Sequence, residues 1–194
     1  MTEKWPTYEV ASEDVVHALG VMNINYLRFE TTHVYMLSAV SNISTNQAAV
    51  FCARINPTER ATILDRSFQM REWPEEAKIA VEAYIKGMRA LTENRNTLIH
   101  GNVVDLAVGK AREPAIISMG RDGRTTVFKS SLPAIRQVAD DLYTYSHFGS
   151  NLSSYVATEF SPIAREAGML ALSKCPTSPS IPKPIKPPQS KVTV

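Results

Sequence analysis

From Val15 to Val40 the apolar side chains recur at steps of three and four: Val15, Leu19, Met22, Tyr26, Phe29, His33, Met36 and Val40. That spacing is one helical stripe of about thirty residues. A helix of that length must bury its stripe against something equally long. The stripe therefore predicts a helical bundle in which the first helix pairs with a second long helix or with a second subunit. Ser12 stands at the N-cap position, and Glu13 and Asp14 follow in the first turn, where the helix dipole favours acids. His33 falls within the stripe and is expected to be a buried, hydrogen-bonded histidine at a helix contact.

The rest of the chain continues this pattern. The polar run 41–46 reads as a turn, and a short apolar helix over about 47–55 carries Cys52 into the core. Asn56-Pro57-Thr58-Glu59 is a helix start with a capping box. Its helix turns Ile63, Leu64 and Phe68 inward and ends near Trp73-Pro74. Pro74 opens the next helix, whose inward face is Ile79, Val81, Ile85, Met88 and Leu91. Gly101 should end it in a left-handed conformation. Then the period changes. Val103–Val108 is short and apolar, and Ala115–Met119 and Thr125–Phe128 alternate around Asp122-Gly123, a hairpin signal. A two- or three-stranded antiparallel sheet is expected there. Ser131 caps a second long helix with the stripe Leu132, Ile135, Val138, Leu142 and Tyr145. Gly149 is expected to bend or end it, with more helix from Asn151 to about Leu172 and a break at Ser161-Pro162.

One stretch at the end of the motif helix carries chemistry: Asn94-Arg95-Asn96-Thr97-Leu98-Ile99-His100-Gly101. Histidine gives and takes protons near neutral pH. Arginine is a fixed cation with a fork of donors suited to phosphate oxygens. Arg95 also follows Met88 and Leu91 on an apolar face, where an unpaired cation is costly to bury. On an ideal helix Arg95 and His100 lie about 140° apart. They can meet if the helix ends and frees His100, or if the arginine of one subunit works beside the histidine of another. Asn96 is placed to contact substrate or orient the histidine.

Arg-Asn-x-x-x-His-Gly at the end of a helix resembles the HEPN superfamily, whose signature is an arginine, four to six residues, then a histidine. Arg95, Asn96 and His100 fill those places. The resemblance implies a metal-independent endoribonuclease that leaves 2′,3′-cyclic phosphate ends and acts as a homodimer, with Arg95, Asn96 and His100 as catalytic residues. The family's settings are toxin–antitoxin pairs, phage defence and RNA processing, so an antitoxin or another protein is an implied partner besides RNA. One subgroup carries a tyrosine two residues after the histidine; here that place is Asn102.

The charge distribution agrees with a phosphate-bearing partner. Residues 1–94 carry nine Lys/Arg against twelve Asp/Glu, whereas residues 95–136 carry seven against three. Lys110, Arg112, Arg121 and Arg124, around the expected hairpin, are the candidate substrate contacts. The alternative is a solvated hairpin whose charges keep an edge unpaired. No Cys/His cluster has metal-ligand spacing, and there is no glycine-rich phosphate loop or Gly-x-Ser-x-Gly, so neither metal nor cofactor is expected. Two cysteines make no disulfide framework, the N-terminus has no apolar signal core, and no run approaches the ~18 apolar residues of a membrane span. A cytoplasmic protein is expected.

The fold class is thus mainly α: an antiparallel helical bundle over 12–173 with a small β-hairpin or antiparallel sheet inserted at about 103–129. An irregular arm over 1–11 precedes it, and a proline-rich tail over 174–194 follows, expected to be mobile. Two further functional readings stand beside the nuclease. One is a non-catalytic helical dimer that binds nucleotide, RNA or a protein. The other is a structural bundle in which Arg95 pairs with Glu93 or Asp105.

Overall fold

The long stripe folds as one helix, α1 (Glu13–Ser41), and its partner is α5 (Leu132–Phe160), equal to it at 29 residues. The structure is a computed structural model that describes residues 11–108, 111–119, 125–129, 131–160 and 174–185; in the strands, side chains are described at Ala115, Ile116, Ile117 and Val127. Between the long helices come α2 (Thr45–Arg54), α3 (Pro57–Gln69), α4 (Glu75–His100), β1 (Asn102–Val108), β2 (Ala111–Met119) and β3 (Thr125–Lys129). Residues 1–10 of the expected arm over 1–11, the Ser161-Pro162 break and residues 186–194 lie outside the described residues.

Local chemistry sets the helix ends. Ser12 is an extended N-cap for α1, and Asn42 closes that helix in the left-handed region at φ 53°, which asparagine tolerates better than most residues. Ser44 with Gln47 and Asn56 with Glu59 form capping boxes for α2 and α3. Helix α3 stops at Gln69, short of the expected Trp73-Pro74. The reason is Trp73 itself, which folds back, stacks on Phe68 at 4.9 Å and donates its indole N–H to the Phe68 carbonyl at 2.7 Å. Ile63 and Ile79, expected inside, are 39% and 59% exposed. The inward faces are held by Ala61, Leu64 and Phe68 on α3 and by Ala77, Ala80, Val81 and Tyr84 on α4.

The mainly helical bundle is as expected, but its directions are mixed. Helix α4 runs antiparallel to α5: Tyr155 donates to Glu76 at 2.8 Å, and Tyr84 and Gly87 face Gly149 and Tyr145. In contrast, α1 and α5 run the same way. Asp14 pairs with Arg136 at 3.2 Å, Asn25 donates to the Ala139 carbonyl at 3.0 Å, and Thr32 lies against Gly149. Since α4 opposes both long helices, those two must be parallel.

Two glycines make this packing possible. A Cβ on Gly87 of α4 would sit inside the ring of Tyr145 on α5, and a Cβ on Gly149 of α5 would lie 2.5 Å from the ring of Tyr84 on α4. Each helix thus lays a tyrosine over the other's glycine. Gly149 does not end α5, which continues to Phe160. Thr32 donates to the Phe29 carbonyl at 2.7 Å, so the Tyr84 hydroxyl donates to Thr32 at 2.8 Å. His33, 2% exposed, packs its ring edge-on to Phe29 at 4.5 Å. It is buried as expected, but among the described residues neither ring nitrogen has a hydrogen-bond partner.

The insertion is a three-stranded antiparallel sheet in the order β1-β2-β3. Pro114 stands inside the central strand, opposite Asp105 of β1. The described pairing of β3 ends with Lys129 opposite Ala115, so among the described residues Pro114 has a neighbouring strand on one side only, where a proline is tolerated. The buried Ala115 and Ile116 tie the sheet to the end of α4. Gly101 is extended at φ −83°, not left-handed, and its role is proximity: a Cβ there would meet Ile116.

Residues 174–185 also depart from expectation. They form neither helix nor strand, yet they lie against the bundle. The Cys175 thiol donates to the Glu76 carbonyl at 3.6 Å, and Tyr145 donates to the Ser180 carbonyl at 3.4 Å. Asn94 donates to the Lys183 carbonyl and accepts from the Ile185 N–H, both at 2.9 Å. The segment therefore follows α4 from its first turn to the motif.

Candidate functional site

Helix α4 delivers the motif. It is unbroken through His100, so the motif residues keep helical positions to the end. Arg95 is half-buried and leans on α1. Its guanidinium carbon lies 4.7 Å from the ring centre of Tyr26, within cation–π range. One terminal nitrogen donates to Asn96 Oδ1 at 3.1 Å and the other to Asn23 Oδ1 at 3.4 Å, while Nε is buried without a partner. These are neutral acceptors. Among the described residues no carboxylate pairs with Arg95; of the two partners in the structural reading, Glu93 is exposed and the Asp105 side chain lies outside the described residues. Burial pushes the Tyr26 phenol above its ordinary range with help from Glu30, while Arg95 is among the groups pulling the other way.

Asn96 joins two features. Besides accepting from Arg95, it lines a surface groove of about 410 Å³ between the N-terminus of α3 and α4. Thr58, Arg89, Thr92, Glu93 and Thr97 complete most of the wall. Arg89 pairs with Asp65 at 3.2 Å, so the groove's own cation is already balanced.

His100 does not join them within one chain. It is exposed at the last position of α4, about 140° around and ~7.5 Å along the axis from Arg95 on ideal geometry. Among the described residues it makes no hydrogen bond to Arg95 or Asn96. The structure thus brings Arg95 and Asn96 together and leaves His100 on another face. Of the expected substrate contacts, Arg112 lies in β2 opposite Ala107. Lys110, Arg121 and Arg124 lie outside the described residues. Among the described residues no group of three His, Cys, Asp or Glu side chains is placed to hold a metal ion, and no helix is long and apolar enough to cross a membrane.

Two features escaped the sequence reading. Asn94, 2% exposed, is the anchor of the C-terminal segment. Its signal was a polar residue on the inward row Tyr84, Gly87, Leu91, Asn94 and Leu98. The second is that α1 is apolar on two opposite faces. Val16, Ile24, Leu27 and Tyr35 are 56%, 55%, 57% and 44% exposed, and with Gly20 and Thr31 they form an outward row at steps of three and four. Asn23, which receives Arg95, sits on the flank of that row. Comparison with protein-family models, curated proteins and solved structures finds no match to this chain.

Proposed function

We propose that this chain is a metal-independent endoribonuclease of the HEPN kind that works as a homodimer. The observation carrying this reading is Arg95, held on Tyr26 and two amide oxygens with no carboxylate beside it among the described residues. A cation positioned this way is ready for a phosphate. In the proposed reaction the ribose 2′-oxygen attacks the adjacent phosphorus and the P–O5′ bond breaks, giving a 2′,3′-cyclic phosphate and a free 5′-hydroxyl. A neutral His100 takes the 2′-hydroxyl proton, and a protonated His100 from the second copy gives one to the leaving 5′-oxygen. Arg95 balances charge on the phosphorane, and Asn96 keeps its guanidinium in place. The basic run Lys110, Arg112, Arg121 and Arg124 is the proposed grip on flanking phosphates.

Two copies are needed because Arg95 and His100 of one chain face different ways. The outward row of α1 supports a partner there. A helix with a second apolar face normally covers that face too, and Arg95 reaches the edge of this row through Asn23. Leu27→Lys is therefore expected to convert a dimer to a monomer in sedimentation, with helical circular dichroism retained. An unchanged assembly would place the dimer face elsewhere.

The activity test is incubation with mixed cellular RNA in excess chelator. Wild type should cut and leave cyclic phosphate ends. His100→Ala and Arg95→Ala should each lose about a hundredfold or more. The second reading, a non-catalytic dimer that binds RNA, nucleotide or protein, draws on the separation of His100 from Arg95. It predicts RNA binding that Arg95→Ala weakens and His100→Ala leaves intact, with no cleavage in either.

A further inference from the structure

The C-terminal segment has a period that suits the groove it lies in. Pro176, Pro179 and Pro182 recur every third residue, and Ile185 continues the row. From 179 to 185 burial follows the same period: the half-buried or buried positions are 179, 182 and 185, with 180, 181, 183 and 184 exposed. Before them 175, 176 and 178 are half-buried and 177 is exposed. Three residues per turn is the period of a polyproline II helix, which needs no internal hydrogen bonds and gives up little entropy on docking. The contacts that hold it are of the kind such a ligand accepts. Asn94 reads main-chain groups on both sides of Pro184, donating to one carbonyl and accepting from one N–H, and Tyr145 donates to the Ser180 carbonyl. A tyrosine hydroxyl and a side-chain amide thus read the backbone of the segment, and main-chain reading suits a ligand with no internal hydrogen bonds.

From this arrangement we infer that the surface between α4 and α5 is a recognition groove for proline-every-third peptides, filled in cis by residues 175–185. Asn94 is its central reader. Because Asn94 directly precedes Arg95, filling the groove also pins the motif turn: with the strap gone, a buried carboxamide would lose two hydrogen bonds. The inference stands independently of the nuclease reading.

The chain's two thiols offer a direct test in the full-length protein. Cys175 rides on the strap, and Cys52, 4% exposed and packed with Leu37 and Ala48, reports opening of the bundle. Labelling with a maleimide should be at least tenfold faster at Cys175 in Asn94→Ala than in wild type, with the Cys52 rate unchanged. The full-length variant Pro176→Ser, Pro179→Ser, Pro182→Ser weakens the cis ligand. It should bind a fluorescent peptide of sequence 174–186, with Cys175 replaced by serine, and Asn94→Ala in the same background should weaken that binding at least tenfold. If the two thiols speed up together, the strap is an inseparable part of the core and the inference fails. It also fails if the serine variant keeps Cys52 protected and Cys175 open yet ignores the peptide.

Discussion

Gly87→Ala is expected to lower unfolding stability by about 3 kcal/mol or more. In an ordinary helix the substitution stabilises by ~1 kcal/mol, because alanine loses less entropy. Here the added methyl would occupy the ring of Tyr145, which is 1% exposed. Neither α4 nor the ring can step aside, since the same face is closed by Tyr84 over Gly149. The clash therefore outweighs the propensity gain. Urea unfolding followed by circular dichroism reads the sign directly; a stabilised Gly87→Ala would mean that α4 and α5 do not cross this closely. Gly87→Ala with Tyr145→Leu should recover part of the loss, because the two residues share one contact.

Acid should unfold this protein through His33. Burial, with Arg60 adding to it, holds the imidazole down from 6.5 to about 3. The folded ring stays neutral where the unfolded ring takes a proton. Stability is thus full above about pH 6.5 and falls as pH drops towards 3, by up to ~1.4 kcal/mol per unit. Asp141, pushed up by burial, acts in the opposite sense nearer the carboxylate range, so the clearest window is roughly pH 6.5 to 4.5. His33→Leu should flatten the pH dependence of the urea midpoint there, and may be compared with His147→Gln, an exposed position that should leave it intact. An equal slope in wild type and His33→Leu would assign the acid response to other groups.

Much of the frame was legible because its causes are local. The stripe from Val15 to Val40 gave α1 to within about two residues, and the Asn56–Glu59 capping box opened α3 where it should. The change of period after Gly101 announced the sheet. The misses share a different origin. Ile63 and Ile79 fit a helical period but lie one position off the inward rows, and periodicity alone does not choose between adjacent rows. Gly149 was read as a breaker and Gly101 as a left-handed stop; α4 does stop before Gly101, but each glycine is small because another element lies against it. The tail was read as mobile from its prolines, although their three-residue spacing matched a groove that exists only once α4 and α5 have packed.

At the candidate site the same division holds. The residue types of Arg95, Asn96 and His100, their spacing and their place at the end of a helix follow from sequence, because α-helical geometry is set by the backbone. So do the capping box of α3 and the position of the sheet. Tertiary structure alone decided that Arg95 rests on Tyr26 and Asn23, that His100 faces away from it, and that Asn94 holds the C-terminal segment. Each of those depends on which residues from distant parts of the chain arrive at the same place, and no local period or propensity encodes that meeting.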